Sequence, residues 1–381
     1  MKFLHVADLH IGKKVNEFSM AEDQRHILRQ IIEMVRVHRP DGLLIAGDVY
    51  DKNIPGVDGV MMLDQFLTEL YRDGCPVYMV SGNHDSGERL AFGRELMRRN
   101  QIYISGGVSG CLERIRLEDA FGPLNLYLMP FIRPSQARHL DPEIATYHQA
   151  VKAVLDHEKI DPSQRNVLVA HQFVVNGGEV PERSDSEQLS LGTLDQVDAS
   201  LFDGFDYVAL GHLHGPQKVG RETVRYAGSP LKYSFSECRH RKSAVLVAME
   251  EKGQTEIQLL PFTPLHDMRE IRGPIGELLK EENYSRADVT DYIRATLTDE
   301  GAIYDAMGRL RTVYPNLMKL DFDNSRTLFT EGIRIAAEEV AVKTPQELFR
   351  EFYESQNHVS MSAEQEGLLE EILREMEGDG L

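Results

Sequence analysis

Over the first 264 positions, apolar residues fall into two alternating patterns. Short apolar runs read as buried strands at Phe3–Ala7, Gly42–Ala46, Val77–Val80, Leu124–Met129, Asn166–Ala170 and Asp206–Leu210. Between the first of them, Ile27, Leu28, Ile31, Ile32 and Val35 keep helical spacing, as do Val60, Met61, Leu63, Phe66, Leu67 and Leu70. Strands alternating with helices predict an α/β fold. Tyr226–Pro230 reads as a turn-rich break, and Ser243–Met249 with Thr255–Leu260 as a hairpin around Glu251-Lys252-Gly253.

After Pro264 the texture changes. Asp267–Arg272, Glu277–Glu282, Asp288–Leu297, Ile303–Leu310 and Asn316–Phe322 predict strand, helix, strand, helix, strand, a small α+β unit. From Thr344 the chain reads as helical. Thr344-Pro345-Gln346-Glu347 and Ser362-Ala363-Glu364-Gln365 both carry helix-start signals, a hydroxyl N-cap with Glu or Gln three residues on. Leu348, Phe349, Phe352 and Tyr353 form one apolar stripe there, and Leu368, Leu369, Ile372, Leu373 and Met376 another. The expected division is 1–264, 265–340 and 341–381.

At 381 residues with 41% apolar composition, the chain has core enough for more than one domain, and a disordered or fibrous protein is excluded. The net charge of −19 is uneven. From Leu265 onward there are 25 acids against 13 bases, so most of the acidity lies in the last third. A basic nucleic-acid footprint is therefore absent from the overall balance, although metal ions or a partner can supply positive charge instead. Three scattered cysteines, Cys75, Cys111 and Cys238, predict neither a disulfide framework nor a thiolate zinc site. No apolar run is long enough to span a membrane, and a soluble cytoplasmic protein is the expectation.

The informative polar residues stand at the ends of the predicted strands. Asp8 and His10 follow the first, Asp48 the second, and Asn83-His84-Asp85 the third; His171 follows Ala170, and His212 and His214 follow Leu210. Singly, each has a bland reading as a capped turn or a structural histidine. Repeated at five strand ends, where α/β sheets place their sites, they read as one centre. The donors are all oxygen or imidazole nitrogen, a set suited to Mn, Mg, Fe or Zn at a hydrolytic site. His5, His26 and His38 fall outside the pattern and read as structural or surface residues.

The ordered set D-x-H, G-D, G-N-H-D, H and G-H-x-H resembles the calcineurin-like metallophosphoesterase superfamily. The stretches HVADLHIGK, IAGDVYD, VSGNHDS, GHLHGPQ and YAGSP are similar to its SbcD subfamily, bacterial relatives of the double-strand-break repair nucleases. That resemblance implies a two-sheet α/β sandwich with a dinuclear site at one end, a small α+β capping domain and C-terminal helices. It implies that Asp8, His10, Asp48 and His214 hold one divalent ion. Asp48, Asn83, His171 and His212 would hold the other, with Asp48 bridging and Mn²⁺ the expected metal. By the same resemblance His84 is a catalytic acid facing the substrate and Asp85 orients it. Archaeal and eukaryotic relatives carry a histidine where this chain, like SbcD-type sequences commonly, has Asp51, which is left as a substrate-side residue without an assigned role. The implied function is a DNA exo- and endonuclease subunit. It would work with an SbcC-type, SMC-like coiled-coil ATPase in repair and recombination, as a homodimer within a heterotetramer, with the C-terminal helices docking on the ATPase. A stand-alone phosphatase or phosphodiesterase on small esters, and a non-catalytic scaffold for an ATPase, are the alternatives.

Overall fold

The computed structural model describes residues 1–108, 111–187 and 195–324, and beyond them 346, 349–350, 353–354, 360–362 and 365–369. In chain order the principal elements begin with β1 (Lys2–Val6), α1 (Ala21–His38), β2 (Gly42–Ala46), α2 (Val57–Arg72), β3 (Val77–Val80) and β4 (Ile102–Ser105). There follow β5 (Glu113–Asp119), β6 (Gly122–Met129), α3 (Tyr147–Glu158), β7 (Arg165–His171), β8 (Tyr207–Gly211), β9 (Gln217–Val219) and β10 (Arg221–Tyr226). The hairpin strands β11 (Ser243–Met249) and β12 (Thr255–Pro261) return to the first sheet.

Two six-stranded sheets result, ordered β12-β11-β1-β2-β3-β4 and β9-β10-β8-β7-β6-β5. Strands β1 to β4 run parallel, as do β6, β7, β8 and β10, so their carboxyl ends gather at one edge of each sheet.

Alternation along each strand divides the side chains between layers. On β1, Phe3 joins Leu44, Tyr78, Leu126, Val167 and Tyr207 in a buried layer between the sheets. Its neighbours Leu4 and Val6 face the other way, with Ile27 and Ile31 of α1 and Phe66 of α2. On the far side, Val151 and Val154 of α3 pack with Leu168 and Val208. The layers are thus helix, sheet, sheet, helix. His5 lies wholly buried between the sheets, its Nδ1 2.9 Å from the Tyr207 hydroxyl. Burial lowers its pKa to about 3, so it is a neutral structural bridge.

The described part of the remaining chain contains a three-stranded sheet ordered β13 (Met268–Gly273), β14 (Tyr292–Leu297) and β15 (Leu317–Phe322), with a helix at Ala306–Arg311. By compactness the chain divides into Met1–Glu270 with Ala287–Arg294 and Tyr314–Lys319, and a second unit of Ile271–Arg286, Ala295–Val313 and Leu320–Leu381. The start signal at Ser362 takes the expected form: Ser362 Oγ accepts from Gln365 N at 3.3 Å, and Ser362 N donates to Gln365 Oε1 at 2.9 Å. The signal at Thr344, and the stripe residues Leu348, Phe352, Ile372, Leu373 and Met376, lie outside the described residues.

Candidate metal centre

Each predicted ligand lies at or just beyond the carboxyl end of a parallel strand. Asp8, His10, Asp48 and Asn83 come from the first sheet, and His171, His212 and His214 from the second. The chain turns sharply there. Asp8, His10, Asp48 and His212 have φ of 53°, 45°, 48° and 113°, a left-handed backbone that Asp and His tolerate better than most residues. Such strain gathers at functional sites, where surrounding bonds hold it.

Those bonds are present. Asp8 N donates to the Gly47 carbonyl at 3.1 Å and His10 N to the Asp48 carbonyl at 2.9 Å. The Asp8 carboxylate accepts from His212 N at 3.0 and 3.2 Å, tying the two sheets together.

The ligand atoms converge in two overlapping groups. Donor atoms of Asp8, His10 and His214 lie within 4.8 Å of one another, as do those of Asp8, Asp48 and His171. Asp48 lies between, its Oδ2 3.7 Å from His10 Nε2 and 3.5 Å from His171 Nε2. The Asn83 side-chain oxygen sits 2.9 Å from both His171 Nε2 and His212 Nδ1. The structure therefore brings all seven predicted ligands together.

The donor chemistry fits a pair of cations. Burial lowers the pKa of His10, His212 and His214, which keeps these imidazoles neutral with lone pairs available. His10 Nε2 and His214 Nε2 face each other at 3.1 Å, while buried His10 Nδ1 makes no hydrogen bond and lies 3.8 Å from Asp51 Oδ1. With the proton on Nδ1 in both rings, the two Nε2 lone pairs would face one region, where a cation between them would satisfy both. His171 donates Nδ1–H to the Ala46 carbonyl at 2.8 Å, which turns its Nε2 toward Asp48 and Asn83. Burial works against its charge, but Asp48 raises its pKa to about 9. A metal ion bound at His171 Nε2 would require the deprotonated imidazole, so binding would be favoured as pH rises.

His84 stands beside these two groups, and its donor atoms fall within 4.8 Å of those of His10 and Asp51 in a third. Its ring crosses that of His10 at right angles with centroids 4.9 Å apart, and its backbone N donates to Asp48 Oδ1 at 2.9 Å. The expectation that Asp85 orients His84 needs correcting. The Asp85 carboxylate is taken up by the backbone N–H groups of Val49, Tyr50 and Gly82 at 2.9–3.0 Å, so it shapes the ligand-bearing loops. The His84 ring is instead held by the Asp51 carbonyl, 3.1 Å from its Nδ1. The Asp51 carboxylate accepts from Lys13 Nζ at 2.7 Å.

Sequence reasoning missed the support behind His214. Ser186 Oγ lies 2.7 Å from His214 Nδ1 and donates to the buried Glu237 at 2.6 Å. Lys242 Nζ donates to Glu237 at 2.6 Å and to the His214 carbonyl at 2.8 Å. Burial opposes the charge on Glu237, yet Lys242 and His214 hold its pKa well below the usual carboxylate range. Glu187 accepts from His214 N at 2.7 Å. No motif announces these residues, because they reach the site from loops distant in sequence. Glu237→Gln is expected to weaken metal affinity about 10–100-fold, the usual effect of losing a partner behind a ligand. A metal titration followed by calorimetry checks this, and an unchanged isotherm refutes it.

This architecture and donor set suit a metal-dependent phosphoesterase, the class to which the family and sequence comparisons also point. The calcineurin-like phosphoesterase family matches residues 1–216, and a family described as the type 5 capsule protein repressor C-terminal domain matches 264–357. Over 98% of both chains, the sequence is 31% identical to the SbcD component of the SbcCD nuclease of Staphylococcus epidermidis. It is 34% identical to the protein of the same name in Staphylococcus saprophyticus, over 88% of this chain and 89% of that one. A dimetal phosphatase from Danio rerio aligns with 69% of this chain and 99% of its own, at 13% identity and a TM-score of 0.39. The chain belongs to the calcineurin-like phosphoesterases, in the branch of the SbcD-type nucleases. Among the described residues, no helix is long and apolar enough to cross a membrane.

Proposed function

We propose that this chain is the nuclease subunit of an SbcCD-type complex, hydrolysing phosphodiesters at DNA ends and hairpins in repair and recombination in the cytoplasm. The observation that carries the reading is the convergence of seven oxygen and nitrogen donors from five strand ends, with the imidazole of His84 beside them.

In this reading Asp8, His10, Asp48 and His214 hold one ion, and Asp48, Asn83, His171 and His212 the other. Paired divalent ions, Mn²⁺ here, bind the attacking and leaving oxygens and supply a nucleophilic water near neutral pH. The residues do the rest. Asn83 contributes a neutral oxygen, so positive charge is left over for a phosphate. The Asp51 carbonyl accepts from His84 Nδ1–H, so Nε2 delivers a proton to the leaving oxygen when the ring is in its imidazolium form. Asp85 fixes both loops through three backbone amides.

The name of the staphylococcal relatives supports a partner, and the proposed one is an SMC-like coiled-coil ATPase of the SbcC type. Residues 265–340 act as a cap steering DNA and 341–381 as the docking segment. The proposed assembly is a homodimer within a heterotetramer. The exposed apolar side chains Val57, Val60 and Met61 of α2 are a face that dimerisation would cover.

Cleavage of single-stranded DNA should require added Mn²⁺ and vanish with a chelator. Full activity after exhaustive dialysis against chelator refutes the metal-dependent reading. Hydrolysis confined to small esters favours the stand-alone phosphatase.

A further inference from the structure

The overall charge of −19 poses a problem for an enzyme of a polyanion: the metals can hold the scissile phosphate, but the neighbouring phosphates also need a grip. Two exposed arginines stand one aromatic ring away from the ligand shell. The Arg133 guanidinium lies over the Phe131 ring, 5.4 Å from its centroid, and that of Arg183 over the Phe173 ring at 4.5 Å. Both rings lean on the same ligand. Phe131 stacks on His212 at 6.3 Å and 18° and meets His171 edge-on at 6.1 Å, while Phe173 lies 6.1 Å from His212. Phe131 N also donates to the Ser81 carbonyl at 2.9 Å, just before Gly82-Asn83-His84.

Neither guanidinium has a carboxylate partner among the described residues. Arg36, Arg165, Arg225 and Arg269, by contrast, are all ion-paired. A guanidinium held by a ring face keeps its donor fork free, and that fork matches phosphate oxygens.

We propose that Arg133 and Arg183, seated on Phe131 and Phe173, anchor the phosphates flanking the scissile one on a DNA strand. This rests on the nuclease reading above. The aromatic seats set the distance of each cation from His212, so a bound strand is registered relative to the metals. Contacts to phosphate oxygens position a strand without reading its bases.

The test compares Arg133→Ala, Arg183→Ala and Arg133→Lys with Arg116→Ala, an exposed arginine in the middle of β5. Cleavage of a single-stranded oligodeoxynucleotide in Mn²⁺ is measured over a range of salt, beside hydrolysis of bis(p-nitrophenyl) phosphate, which has no flanking phosphate. Each alanine variant should raise KM for the oligonucleotide about tenfold. Each should also flatten the log–log salt dependence of kcat/KM by about 0.7, the contribution of one single-strand phosphate contact. The loss on the small ester should be distinctly smaller, and Arg133→Lys should keep most of the salt slope. Metal content of each variant confirms that the site is formed. Wild-type KM and salt slope in both alanine variants overturn the proposal, as do equal losses on both substrates, which would mean that the arginines act through ring packing. If the wild-type protein hydrolyses the ester but never the oligonucleotide, the nuclease reading itself fails, and this inference with it.

Discussion

Replacing His84 by alanine is expected to slow phosphodiester hydrolysis by roughly 10²–10⁴-fold, the usual contribution of a positioned acid, while both metal ions stay bound. Metal retention follows from the geometry. His84 touches Asp48 through its backbone N–H, 2.9 Å from Asp48 Oδ1, and that bond survives loss of the side chain. The defect should also depend on the leaving group. An ester that releases p-nitrophenolate needs little protonation and should lose far less than DNA. Asp48→Ala should behave differently, losing both ions together, because its carboxylate lies between the two groups of donors. Elemental analysis beside the rate measurement decides: a His84→Ala protein stripped of metal would make His84 a ligand.

Gly211→Ala is expected to abolish metal binding and lower the melting temperature, although Gly211 offers no side chain to the site. At the end of β8, an added Cβ would run into the Ala46 carbonyl and crowd His171 Nδ1 at 2.9 Å. That carbonyl is the acceptor that turns the His171 Nε2 toward Asp48 and Asn83. A methyl group there must push the sheet edges apart or rotate the imidazole, and either moves ligands of both ions. Overpacking of this kind costs about 1–3 kcal/mol. Gly56→Ala, where nothing lies within 4 Å of the new carbon, is the control and should keep its metal. If Gly211→Ala binds both ions and melts with the wild type, the close approach of the sheets does not govern the site.

Much of the fold and site is legible in the sequence because the strands that carry ligands are the most buried ones. All-apolar runs such as GLLIA and VYMV are unambiguous, and each is followed at once by its polar residues. Ile102–Ser105 escapes such a reading because it is only four residues long, and two other strands escape it because they are different in kind. Glu113–Asp119 and Arg221–Tyr226 are rich in charged residues because each has a solvent-facing side, so their apolar signal is diluted. The helix Tyr147–Glu158 does carry a readable start in Thr146-x-x-Gln149, which forms a capping box, and apolar patterning alone misses it. The role expected of Asp85 fails for another reason. Adjacency in G-N-H-D suggests that the aspartate serves its neighbouring histidine, but at the turn the carboxylate finds three unpaired amides and satisfies them first. Glu237 and Lys242 lie beyond any reading by spacing, because only the folded loops bring them to His214.

The ligands of each proposed ion come from both sheets, and this has a consequence for the life of the protein as well as its chemistry. Each bound ion acts as a cross-link between two halves of the sandwich that otherwise meet through an apolar layer and a few polar contacts. A ligand that binds only the folded state stabilises it by mass action, by about 2.7 kcal/mol when its free concentration is a hundred times its dissociation constant. Metal supply should therefore affect abundance as well as turnover. A chain starved of its ions should open more often at the sheet edge where Asp8, His10, Asp48 and His212 hold a left-handed backbone, and be exposed there to proteolysis.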